Sequence, residues 1–400
     1  MNFKAVLKSL GLLLLCEAIA ILPSFIVALI YRDDGVNAFL YTILVLLLLG
    51  VPFICLRPKV TNLYAKDGFA VVAFGWIIMS FIGSLPFYFS GAIPSLVDGF
   101  FEAVSGFTTT GASILKEVES LPNSLLFWRS FTHWIGGMGV LVLTLAILPS
   151  VNATSIYIMR AESPGPSPGK LVPKVGNTAK ILYGIYLVIT VTQVILLLTS
   201  GMPLFDSMVH TFGTVGTGGF SSKNLSIGAY NNVFAEVIIT VFMLICGANF
   251  SLYYQLSKGN FTALFKDEEF RFYITVVSIS ILLITVDLYG SMFETIKEAL
   301  RHSSFQVASI ITTTGYSSVD FDKWPLFSKL ILFFLMFIGG CAGSTGGGIK
   351  NIRILLLLKS AKTSLLKIIH PKGVYPVRFG GKVLDDYNIK EIMSFFFMYV

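Results

Sequence analysis

Charge is scarce in this chain. Of 400 residues only 13% are charged while 54% are hydrophobic, against about 25% charged in a typical soluble domain. Folded as one soluble globule, the chain would have too little polar surface to face water. Cysteine is nearly absent. Cys16, Cys55, Cys246 and Cys341 lie in or beside apolar segments, with neither metal-site nor disulfide-framework spacing. They read as buried structural thiols. The four histidines, His133, His210, His302 and His370, stand at no ligand spacing to one another, to cysteine or to acids, and read as core or interface residues rather than a proton relay. No Ser/His/Asp or Cys/His arrangement supplies a nucleophile, and no dinucleotide fingerprint follows a strand. An enzyme is not expected.

What the chain has is long apolar runs, near 8–31, 37–56, 69–90, 125–149, 181–200, 232–256, 272–289 and 326–340, with another beginning near 389. A helix needs roughly 20 such residues to cross a bilayer core, so the fold class is all-α integral membrane. Lys4 and Lys8 precede a leucine run, as in a secretory leader. However, Leu15 before Cys16 is not small, and the apolar stretch continues past Glu17 to Ile30, which reads as a retained first span. Glu17, the one acid within a span, is expected to be buried and hydrogen-bonded. With a cytoplasmic N-terminus, 21 of the 29 basic residues fall on the inner side, and the outer side holds eight basic against thirteen acidic residues. The net charge of +7 is therefore a topology signal, not a nucleic-acid site, and an acidic outer face enriches cations modestly.

The chain repeats itself at roughly 100 residues, in units of a long helix, a half-length helix, a glycine-centred turn and a second long helix. The turns are Thr108-Thr109-Thr110-Gly111-Ala112-Ser113, Gly216-Thr217-Gly218-Gly219-Phe220-Ser221 and Thr312-Thr313-Thr314-Gly315-Tyr316-Ser317, all ending Gly-x-Ser. Each follows an acid placed after a phenylalanine near the start of the half-helix: Phe101-Glu102, Phe205-Asp206 and Phe293-Glu294. A second landmark recurs downstream as Ile135-Gly136-Gly137, Ile245-Cys246-Gly247 and Ile338-Gly339-Gly340. The expected organisation is a peripheral two-helix hairpin at 1–60, then pore repeats at 61–160, 161–260 and 261–370. The third has a broken inner helix, and a fourth, incomplete repeat starts at 371–400.

A half-helix of about 11 residues reaches only halfway through a ~30 Å core, and an irregular turn survives there only against protein or a water-filled cavity. Each turn is therefore expected to line a pore. Gly111, Gly219 and Gly315 permit φ > 0 and turn successive carbonyls to one side. A ring of carbonyls replaces the hydration shell of a large monovalent cation, and the C-terminal dipole end of each half-helix favours positive charge. The filter residues are Thr109, Thr110, Gly111, Thr217, Gly218, Gly219, Thr313, Thr314 and Gly315. The turns contain no carboxylate, which argues against divalent selectivity. For Glu102, Asp206 and Glu294, stabilisation of a helix start is preferred over ion binding. An ion-coupled secondary transporter, driven by protons or sodium, is the alternative; such carriers commonly use inverted repeats, whereas these units are parallel.

The stretch Gly339-Gly340-Cys341-Ala342-Gly343-Ser344-Thr345-Gly346-Gly347-Gly348-Ile349-Lys350 cannot hold a regular helix and lacks the Gly-Lys-Ser/Thr ending of a phosphate loop. Close packing of small residues needs glycines on one face, not three in succession at 346–348. A mobile loop beneath the turns is the sharper reading, with Gly340, Gly343, Ser344, Thr345, Gly346, Gly347 and Gly348 as the gate. Together these motifs resemble the superfamily of Trk, Ktr and HKT potassium transporters, most closely its TrkH-type pore subunits, along the whole chain. The resemblance implies pseudo-fourfold repeats around a pore, potassium as the transported ion held at Gly111, Gly219 and Gly315, and an intramembrane gating loop. It implies no other cofactor. The partners it implies are a second copy of the pore subunit and a cytosolic, TrkA-like nucleotide-binding ring, for which the proline-rich stretch from Arg160 to Lys180 offers a docking surface. The location it implies is the bacterial inner membrane. Because the family has four repeats and Val400 falls within what resembles the first span of the fourth, the sequence is expected to be shortened at its C-terminus.

Overall fold

A computed structural model of the protein describes residues 2–56, 65–139 and 175–400. The inner part of the run ending at 149 and most of the 160–180 loop lie outside the described residues. The described residues form two compact units. One comprises residues up to 243 together with 314–319, and the other 244–313 and 320–400.

The first unit opens with a hairpin of α1 (Phe3–Tyr31) and α2 (Gly35–Cys55). Arg32 stops α1 in the left-handed region (φ 53°). The Asp33 carboxylate then accepts hydrogen bonds from Ser124 N–H (2.9 Å) and Ser124 Oγ (2.7 Å), which satisfies free donors at the start of a later helix. α3 (Ala65–Gly83), the short α4 (Leu85–Phe89), α5 (Leu96–Phe107) and α6 (Asn123–Gly137) follow. Beyond them come α7 (Val175–Thr199), α8 (Leu204–Val215) and α9 (Val233–Cys246), which runs on into the second unit. Glu17 is buried as expected, but its carboxyl oxygens have no hydrogen-bond partner among the described residues, which corrects the expected hydrogen-bonded role.

The second unit contains α10 (Phe250–Ser257), α11 (Thr262–Lys266), α12 (Glu268–Leu288), α13 (Ile296–Ile311), α14 (Leu326–Phe337) and α15 (Asn351–Ile369). An antiparallel hairpin of β1 (Arg378–Phe379) and β2 (Lys382–Val383) precedes α16 (Asp386–Tyr399). Five of the described helices are long and apolar enough to cross a membrane. Their outward faces carry side chains such as Leu48, Val188 and Leu282, each more than 60% exposed. That is the surface of a chain solvated by lipid rather than water.

The apolar run 232–256, expected as one span, is broken. α9 and α10 meet at 94° across Gly247-Ala248-Asn249. Asn249 Oδ1 starts α10 by accepting from Ser251 N–H at 2.9 Å. The carbonyls freed by the break are satisfied from the side, since Tyr253 Oη donates to Ile245 O (2.6 Å) and Tyr273 Oη to Leu244 O (3.2 Å). A Cβ on Gly247 would stand 2.8 Å from Thr312 Cγ2, so glycine is what lets the third half-helix approach. The same holds in the first unit, where a Cβ on Gly137 would stand 2.6 Å from Gly216 Cα. In the first two repeats the recurring Ile-x-Gly landmark thus marks where the inner helix ends and the next half-helix packs against it.

Candidate functional site

The half-helices α5, α8 and α13 end alike. In α5, Thr108 N–H donates to Val104 O (2.8 Å), Thr109 N–H to Gly106 O (3.1 Å) and Thr110 N–H to Ser105 O (2.9 Å). In α8, Gly216, Thr217 and Gly218 donate to Phe212 O, Thr214 O and Gly213 O at 3.0, 3.1 and 2.8 Å. In α13, Thr312 and Thr313 donate to Ala308 O and Ile310 O at 3.1 and 3.0 Å. This is the Schellman closure, whose left-handed residue is usually glycine. Here it is threonine each time: Thr109, Thr217 and Thr313 have φ of 55°, 56° and 58°. A β-branched residue in that region is an outlier, and such a conformation costs about 1–3 kcal/mol. The side chain helps hold it, with Thr217 Oγ1 donating to Gly216 O (2.7 Å) and Thr313 Oγ1 to Thr312 O (2.6 Å). Two residues on, Gly111, Gly219 and Gly315 are also left-handed, at 74°, 83° and 85°. Alternating handedness is how each turn departs from helical hydrogen bonding and leaves its carbonyls without helical partners.

The turns converge. A Cβ on Gly111 would collide with the carbonyl oxygen of Gly218 and lie 3.9 Å from that of Thr314; one on Gly219 would collide with Thr314 O and lie 3.4 Å from the Gly315 carbonyl carbon. Backbone from all three turns therefore meets within van der Waals reach.

Buried polar side chains hold these turns from behind. Glu102 does not start its half-helix, as was expected. It lies five residues before the end of α5, 1% exposed. Its Oε1 accepts from Ser113 Oγ (3.0 Å), its Oε2 accepts from Ile114 N–H (3.0 Å), and it pairs with Arg129 of α6. The residue at the same distance from the end of α8 is His210, whose Nε2 meets Ser221 Oγ at 2.9 Å. Gln306 occupies that place in α13. The first-turn acids are instead Asp98, Asp206 and Glu298, and Glu294 precedes its helix. Asp206 matches the expected helix-start role and also accepts from Ser222 Oγ (2.6 Å). The serine of Gly-x-Ser is thus the handle by which a half-helix side chain fixes the far side of its own turn, in the first two repeats.

Adjacent repeats are stitched together by the residue after each of the last two turn glycines. Phe220 stacks on His133 (4.1 Å) and under the Arg129 guanidinium (3.6 Å), and Arg129 Nη1 also donates to Ser221 O (3.2 Å). Tyr316 Oη donates to His210 O (3.2 Å) and Phe220 O (3.1 Å). His133 takes the core role expected of it, whereas the roles of Arg129, Phe220 and Tyr316 were missed in the sequence; the aromatic after each of the last two glycines was the available signal. At the rim, Lys223 and Glu119 pair at 2.9 Å. The hydrogen bond holds the Glu119 carboxyl below its ordinary range and raises the Lys223 ammonium. No cluster of metal-ligating side chains occurs among the described residues.

The glycine-rich loop is tied into the second unit. Cys341 N–H and Thr345 N–H donate to Gly247 O (2.8 Å) and Cys246 O (3.3 Å), and the Gly343 carbonyl accepts from Phe250 N–H (3.0 Å). Asn351 Nδ2 donates to Gly339 O (2.6 Å), and Lys350 Nζ donates to Gly346 O. The loop touches the third turn directly: Gly347 N–H donates to Thr313 Oγ1 at 2.7 Å. Ser344 Oγ closes locally on Cys341 O (2.6 Å). Gly343 and Gly348 have φ of 72° and 67°; Gly340 and Gly346 are buried, while Gly347 and Gly348 face outward.

Short helices ending in irregular turns, in a chain whose other helices are long and apolar enough to cross a membrane, define a membrane transport protein. Residues 35–400 match the family model described as TrkH, cation transport protein, and the chain belongs to that family. It is 39% identical to the Trk system potassium uptake protein TrkH of Salmonella typhimurium, covering 100% of this chain and 84% of that protein. It is 37% identical to the protein of the same name from Halomonas elongata, with the same coverage. The crystal structure of the potassium transporter TrkH from Vibrio parahaemolyticus superposes with a TM-score of 0.89 at 36% identity, over 100% of this chain and 83% of that one.

Proposed function

We propose that this chain takes up potassium across the bacterial cytoplasmic membrane, through a passage whose selective part is backbone. The observation that carries this reading is the convergence of the turns at Gly111, Gly219 and Gly315 without a carboxylate among them. Thr109, Thr110, Gly111, Thr217, Gly218, Gly219, Thr313, Thr314 and Gly315 supply the carbonyl oxygens that stand in for water around the ion. The three half-helices point their C-terminal dipole ends at them, and membrane potential adds about 2.3 kcal/mol per charge per 100 mV. The loop containing Gly340, Gly343, Ser344, Thr345, Gly346, Gly347 and Gly348 is the gate; its bond to Thr313 supports that role. The N-terminus is cytoplasmic, the pore subunit pairs with a second copy, and a cytosolic nucleotide-binding ring supplies regulation.

Expression of the full-length protein in a bacterium deficient in potassium uptake tests this. Growth at micromolar potassium is expected, with uptake competed by rubidium and little by sodium. Growth that requires added sodium or a proton gradient in fixed ratio to potassium would favour a coupled carrier.

A further inference from the structure

Glu269 stands in the first turn of α12, 3% exposed. Its Oε1 accepts two backbone hydrogen bonds, from Ala342 N–H at 2.7 Å and from Ile352 N–H at 3.0 Å. These donors bracket residues 343–348 of the glycine-rich loop, one on the way in and one on the way out. A single carboxylate oxygen thus ties both legs of the loop to a long helix that does not itself bend. The Ile352 N–H lies in the first turn of α15, among the donors that a helix leaves without partners of its own.

The neighbouring residue faces the cytoplasmic elements. Glu268 pairs with Lys359 of α15 and accepts from Gly380 N–H at 3.3 Å in the β1–β2 hairpin; Lys359 Nζ also donates to Arg378 O at 2.9 Å. Two successive acids therefore join the polar hairpin to the loop through one helical turn.

We propose that Glu269 is the clasp that holds the glycine loop closed, and that Glu268 links that clasp to the cytoplasmic hairpin. Glu269 is a positioning residue and touches no ion. The inference rests on the reading of the loop as a gate. Displacing the hairpin pulls on Glu268, withdraws the Glu269 oxygen from Ala342 and Ile352, and frees the legs of the loop.

The test is potassium flux into proteoliposomes holding the full-length protein without any regulator. E269A is expected to raise flux roughly tenfold, the shift expected from removing a hold of about 1.4 kcal/mol. E269D, which keeps the charge at the start of α12 but draws the oxygen back by one methylene, is expected to raise it less. E269Q keeps an oxygen able to accept both bonds and is expected to match the parent. A residue needed only for folding would lower flux in all three. Parental flux in both E269A and E269D, at a parental elution profile, overturns the clasp. If E269A fails to fold, E269D against E269Q decides. Deletion of 343–348 separates the two readings: raised flux there with parental flux in E269A and E269D sinks the clasp alone, whereas no rise in any variant sinks the gate.

Discussion

Gly219→Ala is expected to abolish selective potassium uptake while leaving the protein in the membrane. Two independent costs meet at this position. Its φ of 83° is left-handed, a conformation that costs an L-residue roughly 1–2 kcal/mol. The added methyl would also occupy the space of the Thr314 carbonyl oxygen, with the Gly315 carbonyl carbon 3.4 Å away. Neither obstacle is a flexible side-chain tip; both are backbone of the neighbouring turn. The methyl is accommodated only by pushing the second and third turns apart, which in the proposed filter takes oxygens off the ion. A loss of at least about 100-fold in potassium flux is expected, equivalent to ~2.7 kcal/mol on the barrier, with the remaining flux no longer preferring potassium over sodium. Gly111→Ala should behave the same way, since its methyl would displace the Gly218 carbonyl oxygen. Tracer flux with each ion on purified variants checks this, alongside membrane yield.

The second large effect is at the buried pair behind the first turn. Arg129 and Glu102 are 3% and 1% exposed. Between them they hold Ser113, Ile114, the Ser221 carbonyl and the face of Phe220. Removing one partner of a buried pair leaves the other charge uncompensated, at about 3–5 kcal/mol. E102Q and R129A are each expected to lower thermal stability sharply, and R129A the more, because it also releases Phe220 and Ser221. The double variant E102Q/R129A removes both charges and should be less destabilised than the sum of the singles, by a coupling of about 0.5–3 kcal/mol. Melting of detergent-solubilised protein measures all three. Strict additivity would show that the two side chains do not act together. In transport, E102Q leaves a bare guanidinium behind the proposed filter, so its potassium flux should fall further than that of the double variant.

Much of this was legible in the chain itself, because membranes restrict backbone more severely than water does. An 11-residue apolar helix followed by a Gly-centred turn has few places to exist inside lipid, so the turns announced themselves at Gly111, Gly219 and Gly315. The Gly-x-Ser ending was equally visible, but its purpose was not. The partner of Ser113 is a residue eleven positions away, and only folding brings Glu102 there. Aligning the repeats on a Phe-acid pair matched Glu102 to Asp206. The helices pair Asp98 with Asp206 and Glu102 with His210, one helical turn away, because helical faces repeat every three to four residues and apolar sequence does not mark which turn is meant. The left-handed threonines were hidden for the opposite reason. Propensity points to glycine at a Schellman position, and Thr109, Thr217 and Thr313 defy it with a hydroxyl that bonds the preceding carbonyl in two of the three turns. The break after Cys246 was masked by an unbroken apolar run, since hydropathy reports what a segment dissolves in and not whether it bends. Tyr253 and Tyr273, which pay for that bend in hydrogen bonds, look like ordinary core aromatics in sequence.

Anomalous diffraction from crystals of the full-length protein soaked in thallium, a heavy monovalent stand-in for potassium, locates the bound ion. A peak ringed by the carbonyl oxygens of the Thr109, Thr217 and Thr313 turns and competed away by potassium is expected. A peak seated on carboxylates such as Glu119 or Asp206, with none among the turns, would contradict the proposed filter.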